Sequence, residues 1–96
     1  MNLQLEEKHW NIIKKALSKY TYVFYAYGSR VKGTAKKYSD LDLCYQKEIP
    51  LSVISQLREE FTESNLPFEV ELVAWKHMRP TFQELISKDL IRLEMK

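Results

Sequence analysis

Gly28-Ser29-Arg30-Val31-Lys32-Gly33-Thr34-Ala35-Lys36-Lys37-Tyr38-Ser39-Asp40-Leu41-Asp42 is the stretch on which both fold and chemistry turn. Ahead of it, Tyr20-Thr21-Tyr22-Val23-Phe24-Tyr25-Ala26-Tyr27 is dense in aromatic and β-branched residues and reads as a well-buried strand. Gly28-Ser29 ends that strand, and Arg30 to Lys37 has room for a helical turn or two and a loop. Asp40-Leu41-Asp42-Leu43-Cys44-Tyr45 alternates strictly, so Leu41, Leu43 and Tyr45 share one face of a second strand and Asp40 and Asp42 the other. A strand that ends in Gly-Ser before a helical turn exposes backbone N–H groups suited to a phosphate oxygen, and Ser29 adds a hydroxyl. Both glycines of the chain, Gly28 and Gly33, fall here. Two carboxylates on one side of a strand disfavour each other unless a cation lies between them. Mg²⁺ suits such a place, since it takes few protein oxygens and completes its octahedron with phosphate and water.

Beyond this stretch, Leu51, Ile54, Leu57 and Phe61 form the stripe of a helix that follows Pro50 and runs to about Asn65. Pro67 opens a third strand, Phe68-Glu69-Val70-Glu71-Leu72-Val73-Ala74, in which Glu69 and Glu71 repeat the spacing of the two aspartates. Laid beside the Asp strand, one of these glutamates completes a three-carboxylate site able to hold two divalent ions for an in-line phosphoryl displacement. Before the stretch, Leu3, Trp10, Ile13 and Leu17 recur at helical spacing over about residues 3–19. At the end, Thr81 and Glu84 form a capping-box pattern ahead of a stripe of Phe82, Leu85, Ile86, Leu90 and Leu93, which predicts a last helix over all of these. The order is α-β-α(short)-β-α-β-α: an α/β (α+β) fold with a small three-stranded mixed sheet covered by helices.

Ninety-six residues, 45% of them hydrophobic and 29% charged, make one domain, residues 1–96, and the balance is that of a globular chain rather than a disordered one. Cys44 has no partner for a disulfide, which points to a reducing compartment. No apolar run reaches the roughly 20 residues of a membrane span. The segment from Met1 to Glu7 lacks the basic-then-apolar layout of a signal peptide, so the expected location is the cytoplasm and no membrane partner is expected. The net charge of +2 conceals a division: residues 8–39 carry eight of the 15 Lys and Arg and none of the 13 acids. Such a division suggests an anionic ligand on the basic part. Lys8, Lys14, Lys15 and Lys19 read equally as the solvated face of the first helix. Arg30, Lys32, Lys36 and Lys37 lie inside the motif and suit a triphosphate.

The pattern G-S-x10-D-x-D, with Gly33 in the spacer and Ser39 before the first Asp, resembles the signature of the polymerase-β-like nucleotidyltransferases, and the length is similar to that of their minimal members (MNT). The resemblance covers the element order of the whole chain; its specific residues run from about Tyr25 to Leu43, plus the third strand. It implies the nucleotidyltransferase fold, with Gly28 and Ser29 holding the nucleotide phosphates and Asp40 and Asp42 each binding Mg²⁺. Arg30 and Ser39 are counted with the phosphate-binding residues, although Arg30 reads equally as the partner of a carboxylate. Glu71 matches the third acid of the family, a metal ligand that can help deprotonate the attacking hydroxyl, and Glu69 on the same face is the fallback. Many minimal members carry Asp there, and Glu is one methylene longer. The implied reaction is transfer of NMP, from ATP as AMP, to a hydroxyl, with two Mg²⁺ ions and release of pyrophosphate. The implied partner is a HEPN-domain protein, a toxin whose tyrosine receives the AMP from its antitoxin in a hetero-oligomer.

Two other classes of function stay open on the residues alone. A nucleotidyltransferase fold can neutralise its partner by contact without turnover, and the Lys8 to Lys37 surface can bind nucleic acid, although no recognised nucleic-acid motif supports it. Gly28-Ser29 also reads as an ordinary strand-to-helix turn capped by Ser29, and Asp40, Asp42 and Glu71 as a solvated strand face. His9 and His77 have no Cys/His company and predict no zinc site. Cys44 reads as a small buried hydrophobe.

Overall fold

A computed structural model describes residues 3–95. Met1 and Asn2, part of the segment read against a signal peptide, lie outside the described residues. The elements run α1 (Glu7–Leu17), β1 (Tyr25–Tyr27), α2 (Ser29–Lys32), β2 (Leu41–Tyr45), α3 (Leu51–Thr62), β3 (Val70–Ala74), a 3-10 turn (Trp75–His77), α4 (Pro80–Ser87) and β4 (Ile91–Arg92). One mixed sheet holds the strands in the order β3-β2-β1-β4. β1 is antiparallel to β2 and to β4, whereas β2 and β3 are parallel and joined through α3.

Alternation along the strands divides the sheet into two unlike faces. Ala26, Leu41, Leu43, Val70 and Leu72 point to the face covered by α1 and α3, where they meet Ile13, Leu17, Ile54, Leu57 and Phe61. Leu41, Leu43 and Leu57 are fully covered, and each such side chain stabilises the fold by about 1.5–3 kcal/mol. Tyr27 and Cys44 point to the opposite face and pack with Met78 and Ile86, so α4 covers this side. That cover is partial. Phe82 of α4 meets the Tyr27 ring at the end of β1 (5.9 Å), while Asp40, Glu69 and Glu71 at the start of β2 and β3 stay exposed.

The three-stranded expectation is corrected to four strands. The last helix stops at Ser87, and Ile91 pairs with Ala26 on the free edge of β1. Leu93, expected on a helix, donates its N–H to the Phe24 carbonyl (3.0 Å) and is buried in the α1–α3 core. An uncovered edge on β1 would leave backbone groups unpaired beside that core, and the chain end satisfies them. The capping box also fails: Arg79 is the N-cap with no side-chain bond, and Pro80 occupies the first turn, where its missing N–H costs nothing. α1 begins at Glu7 rather than near Leu3, and the first strand is confined to Tyr25–Tyr27. The third strand starts at Val70 rather than at Phe68.

Candidate active site

The parallel register sets Asp42 opposite Glu71, and the antiparallel register sets Tyr27 opposite Asp42. These three side chains therefore form a row across β1, β2 and β3 on the α4 face. One step outward stand Asp40 and Glu69, held level because Leu41 N–H donates to the Glu69 carbonyl at 2.9 Å. Carboxylate oxygens of Asp40, Glu69 and Glu71 all lie within 4.8 Å of one another, and all three residues are exposed. Both candidate third acids thus reach the same place, and the structure brings them together with Asp40.

Asp42 occupies the inner, half-buried position. Burial, and then the charges of Asp40 and Glu71, push its carboxyl above the usual carboxylate range. Burial also lifts the Tyr27 phenol to about 12, with Asp42, Cys44 and Glu71 adding to the shift, so Tyr27 stays neutral at any physiological pH. A cluster of oxygen donors only, beside an Asp42 whose charge burial disfavours, has the chemistry that a hard divalent cation relieves. Among the described residues, Asp40, Glu69 and Glu71 are the group whose oxygens converge closely enough to share one, and Asp42 stands next to that group rather than in it.

Gly28 and Ser29 adjoin this row where β1 turns into α2. Gly28 has φ +87°, and a Cβ built on it would lie 2.6 Å from Asp42 Oδ2. Only glycine satisfies both demands, which couples the Gly-Ser turn physically to the second aspartate. Gly33, at φ +77°, caps α2 in the left-handed region and donates its N–H to the Ser29 carbonyl. A cleft of about 240 Å³ opens between this turn and α4, with Gly28, Ser29, Lys32, Thr34 and Asp42 on one wall and Phe82 and Leu85 on the other. A second cleft, of about 430 Å³, lies on the β3 side of the acids and takes in Tyr38, Arg58, Pro67, Glu69 and Glu71. The carboxylates form the ridge between two openings.

Arg30 was expected beside phosphate, and its position corrects that expectation. It is buried, with Nε donating to Ser39 O (2.9 Å), Nη1 to Gln4 O (2.8 Å) and Nη2 to Lys37 O (3.2 Å) and Lys36 O (3.5 Å). Its guanidinium also stacks over Phe68 at 4.1 Å. Burial pulls its pKa below the usual value while the nearby Asp40 charge acts the other way. Ser39 likewise turns into the loop, its hydroxyl accepting from Lys36 N–H at 2.8 Å. Of the four phosphate-binding residues expected, the structure places Gly28 and Ser29 on the cleft and Arg30 and Ser39 behind it.

The residues that sequence reasoning missed are Tyr27, Thr34 and the α4 wall. Phe82 and Leu85 keep 40% and 60% of their surface exposed, so the stripe read as core also lines a cleft. Asp89, in the turn after α4, also borders the cleft. His9 packs edge-on against Phe68, and neither His9 nor His77 joins the acid cluster. The Cys44 thiol, fully covered, is pushed up to about 11 by burial, which keeps it inert. Among the described residues, no helix is long and apolar enough to cross a membrane.

Residues 11–94 match the family described as Polymerase beta, Nucleotidyltransferase. The chain is 40% identical to the Haemophilus influenzae protein named "Probable protein adenylyltransferase MntA", over 98% of this chain and 86% of that one. Two solved structures are similar in fold. One is a toxin-antitoxin with AMP-PNP (TM-score 0.65, 21% identity, 90% of this chain and 73% of that one). The other is a mutant of the toxin-antitoxin MntA-HpeT (TM-score 0.61, 21% identity, 97% and 75%). With its sheet register, its Gly-Ser turn and its ridge of carboxylates, this chain belongs to the polymerase-beta nucleotidyltransferase family and is a nucleotidyltransferase.

Proposed function

We propose that this chain, as a single domain, transfers AMP from ATP to a tyrosine hydroxyl of a HEPN-domain toxin and thereby acts as its antitoxin in the cytoplasm. The observation that carries the chemistry is the row Tyr27–Asp42–Glu71 with Gly28 packed against Asp42. It places a turn fit for phosphates within reach of a cluster that needs a cation. Kinship with the MntA relative supports protein as the acceptor.

In this reading Gly28 and Ser29 seat the β- and γ-phosphates, and Lys32 on the same cleft offsets their charge. Asp40, Asp42 and Glu71 hold two Mg²⁺ ions, which when bound offset the charge of the triphosphate and the acids together. The acceptor approaches from the Glu69–Glu71 side of the ridge, opposite the Ser29 side where pyrophosphate departs, as in-line displacement requires. Its oxygen bonds to the α-phosphorus as the bond from that phosphorus to the pyrophosphate oxygen breaks. The hydroxyl proton passes to Glu71, or to Glu69 beside it.

The test is incubation of the purified chain with labelled ATP, Mg²⁺ and the HEPN-type protein encoded beside it. Label on one partner tyrosine, lost when Asp40 and Asp42 are both replaced by Asn, is the expected result. Silencing of the partner that survives those replacements, without label, would show neutralisation by contact instead.

A further inference from the structure

We propose that Arg30 is a positioning residue: its buried guanidinium ties the spacer between Ser29 and Asp40 to the N-terminal segment and thereby fixes the peptide that presents Asp40. The inference rests on the metal-binding role given above to Asp40. Ten residues separate Ser29 from Asp40, and apart from α2 they form turns and loop, a poor foundation for a carboxylate that must be placed to within a fraction of an ångström.

Arg30 supplies what the local structure lacks. Its Nε bond goes to the Ser39 carbonyl, the oxygen of the peptide that enters Asp40. On the other side of Asp40, Leu41 N–H is held by Glu69. Asp40 is thus bracketed by one bond from the spacer and one from β3. The same guanidinium reaches Lys36 and Lys37 carbonyls within the loop and the Gln4 carbonyl outside it. Gln4 answers by donating its backbone N–H to the Arg30 carbonyl at 2.7 Å. Its side chain pairs both ways with Ala35, Nε2 to Ala35 O at 2.7 Å and Ala35 N–H to Oε1 at 2.9 Å. Phe68, stacked on the guanidinium, fixes its plane, and His9 meets the same ring at 5.5 Å. Five donors in a planar fork suit this task, whereas a lysine ammonium offers charge without the geometry. The N-terminal segment is therefore part of the frame of the site although it contributes nothing to the cleft beside Ser29.

The experiment compares Arg30→Lys, Arg30→Met and Gln4→Ala with the wild type in three readouts: ATP binding, Mn²⁺ affinity without turnover, and exchange of the Leu41 amide hydrogen. Kinetic constants for AMP transfer are added where the wild type transfers. Positioning predicts that Lys fails nearly as badly as Met, with kcat down about 10- to 100-fold and KM for ATP changed less than threefold. It also predicts weaker Mn²⁺ binding and faster Leu41 exchange. Gln4→Ala, an exposed substitution at the far end of the same network, is expected to shift Mn²⁺ affinity and Leu41 exchange in the same direction by a smaller factor, and it serves if the Arg30 variants do not fold. Full function in Arg30→Lys would overturn the proposal in favour of a charge effect, as would loss of ATP binding with kcat intact. Unchanged Mn²⁺ affinity and Leu41 exchange in Gln4→Ala and the folded Arg30 variants would overturn it as well. A wild type that binds Mn²⁺ yet transfers nothing would count against the proposed reaction, leaving the Mn²⁺ and exchange arms to decide on Arg30.

Discussion

Gly28 and Asp42 depend on one another atom by atom. A methyl group at Gly28 meets Asp42 Oδ2 at 2.6 Å and sits on a backbone at φ +87°, a conformation that costs a non-glycine residue about 1–3 kcal/mol. Gly28→Ala is therefore expected to lower the melting temperature by about 5–20 °C and transfer by at least about 100-fold, as read by thermal melts and initial rates. Asp42 itself is a stability cost in the metal-free protein. Its folded-state carboxyl is pushed up by burial and by Asp40 and Glu71, so the folded state binds a proton more readily than the unfolded one. The penalty is absent below the unfolded carboxylate range near 3.8, grows as pH rises through the folded value, and is constant above it. Asp42→Asn is thus expected to melt higher than wild type at pH 7 in chelator, with the advantage vanishing at pH 3, while losing transfer. Equal melting at both pH values would refute the crowding of this carboxylate. The pairing of Asp40 with Asp42 on one face was legible because a two-residue period admits no other outcome in a strand. The inward turn of Arg30 was not, since four carbonyls and a ring from distant positions decide it.

At the scale of elements, the end of the chain carries the lesson. Leu90 and Leu93 continue the spacing of Ile86 at i+4 and i+7, yet Ile91–Arg92 is a strand. Apolar spacing alone cannot tell a helix that continues from a chain that turns back, because both bury the same residues. The open edge of β1 made the choice. Leu93→Ala is expected to cost about 2–4 kcal/mol in urea denaturation, since its side chain is buried in the main core and its N–H holds Phe24. Thr81→Ala, which a capping box would make costly, is expected to stay within about 0.5 kcal/mol, because Arg79 and Pro80 start the helix instead. β2 was read nearly to the residue, as its alternation is unbroken; β1 was read too long, because aromatic density reports burial rather than pairing.

Across the whole molecule, charge and shape converge on one rim. Lys32 and the Gly-Ser turn meet Asp42 where β1 gives way to α2, the exposed acids of β2 and β3 stand next to them, and the two clefts open on either side, whereas Lys36 and Lys37 face a different hollow with Gln4 and His9. A small domain gains much from a ligand that bridges such parts. An ATP analogue with Mg²⁺ at 100-fold over its Kd adds about 2.7 kcal/mol, expected to raise the melting temperature by about 10–20 °C. The analogue without metal should do far less, and an equal shift with and without Mg²⁺ would remove the carboxylates from the binding site. What the sequence determined by itself were the quantities fixed by short-range periodicity: the face of each acid, the glycine at the turn and the order of the main elements. Tertiary structure alone decided the strand order, the fourth strand, the convergence of Glu69 and Glu71 on Asp40, and the inward clasp of Arg30. Each of these depends on which distant backbone groups remain unpaired once the core has closed, and no local pattern encodes that.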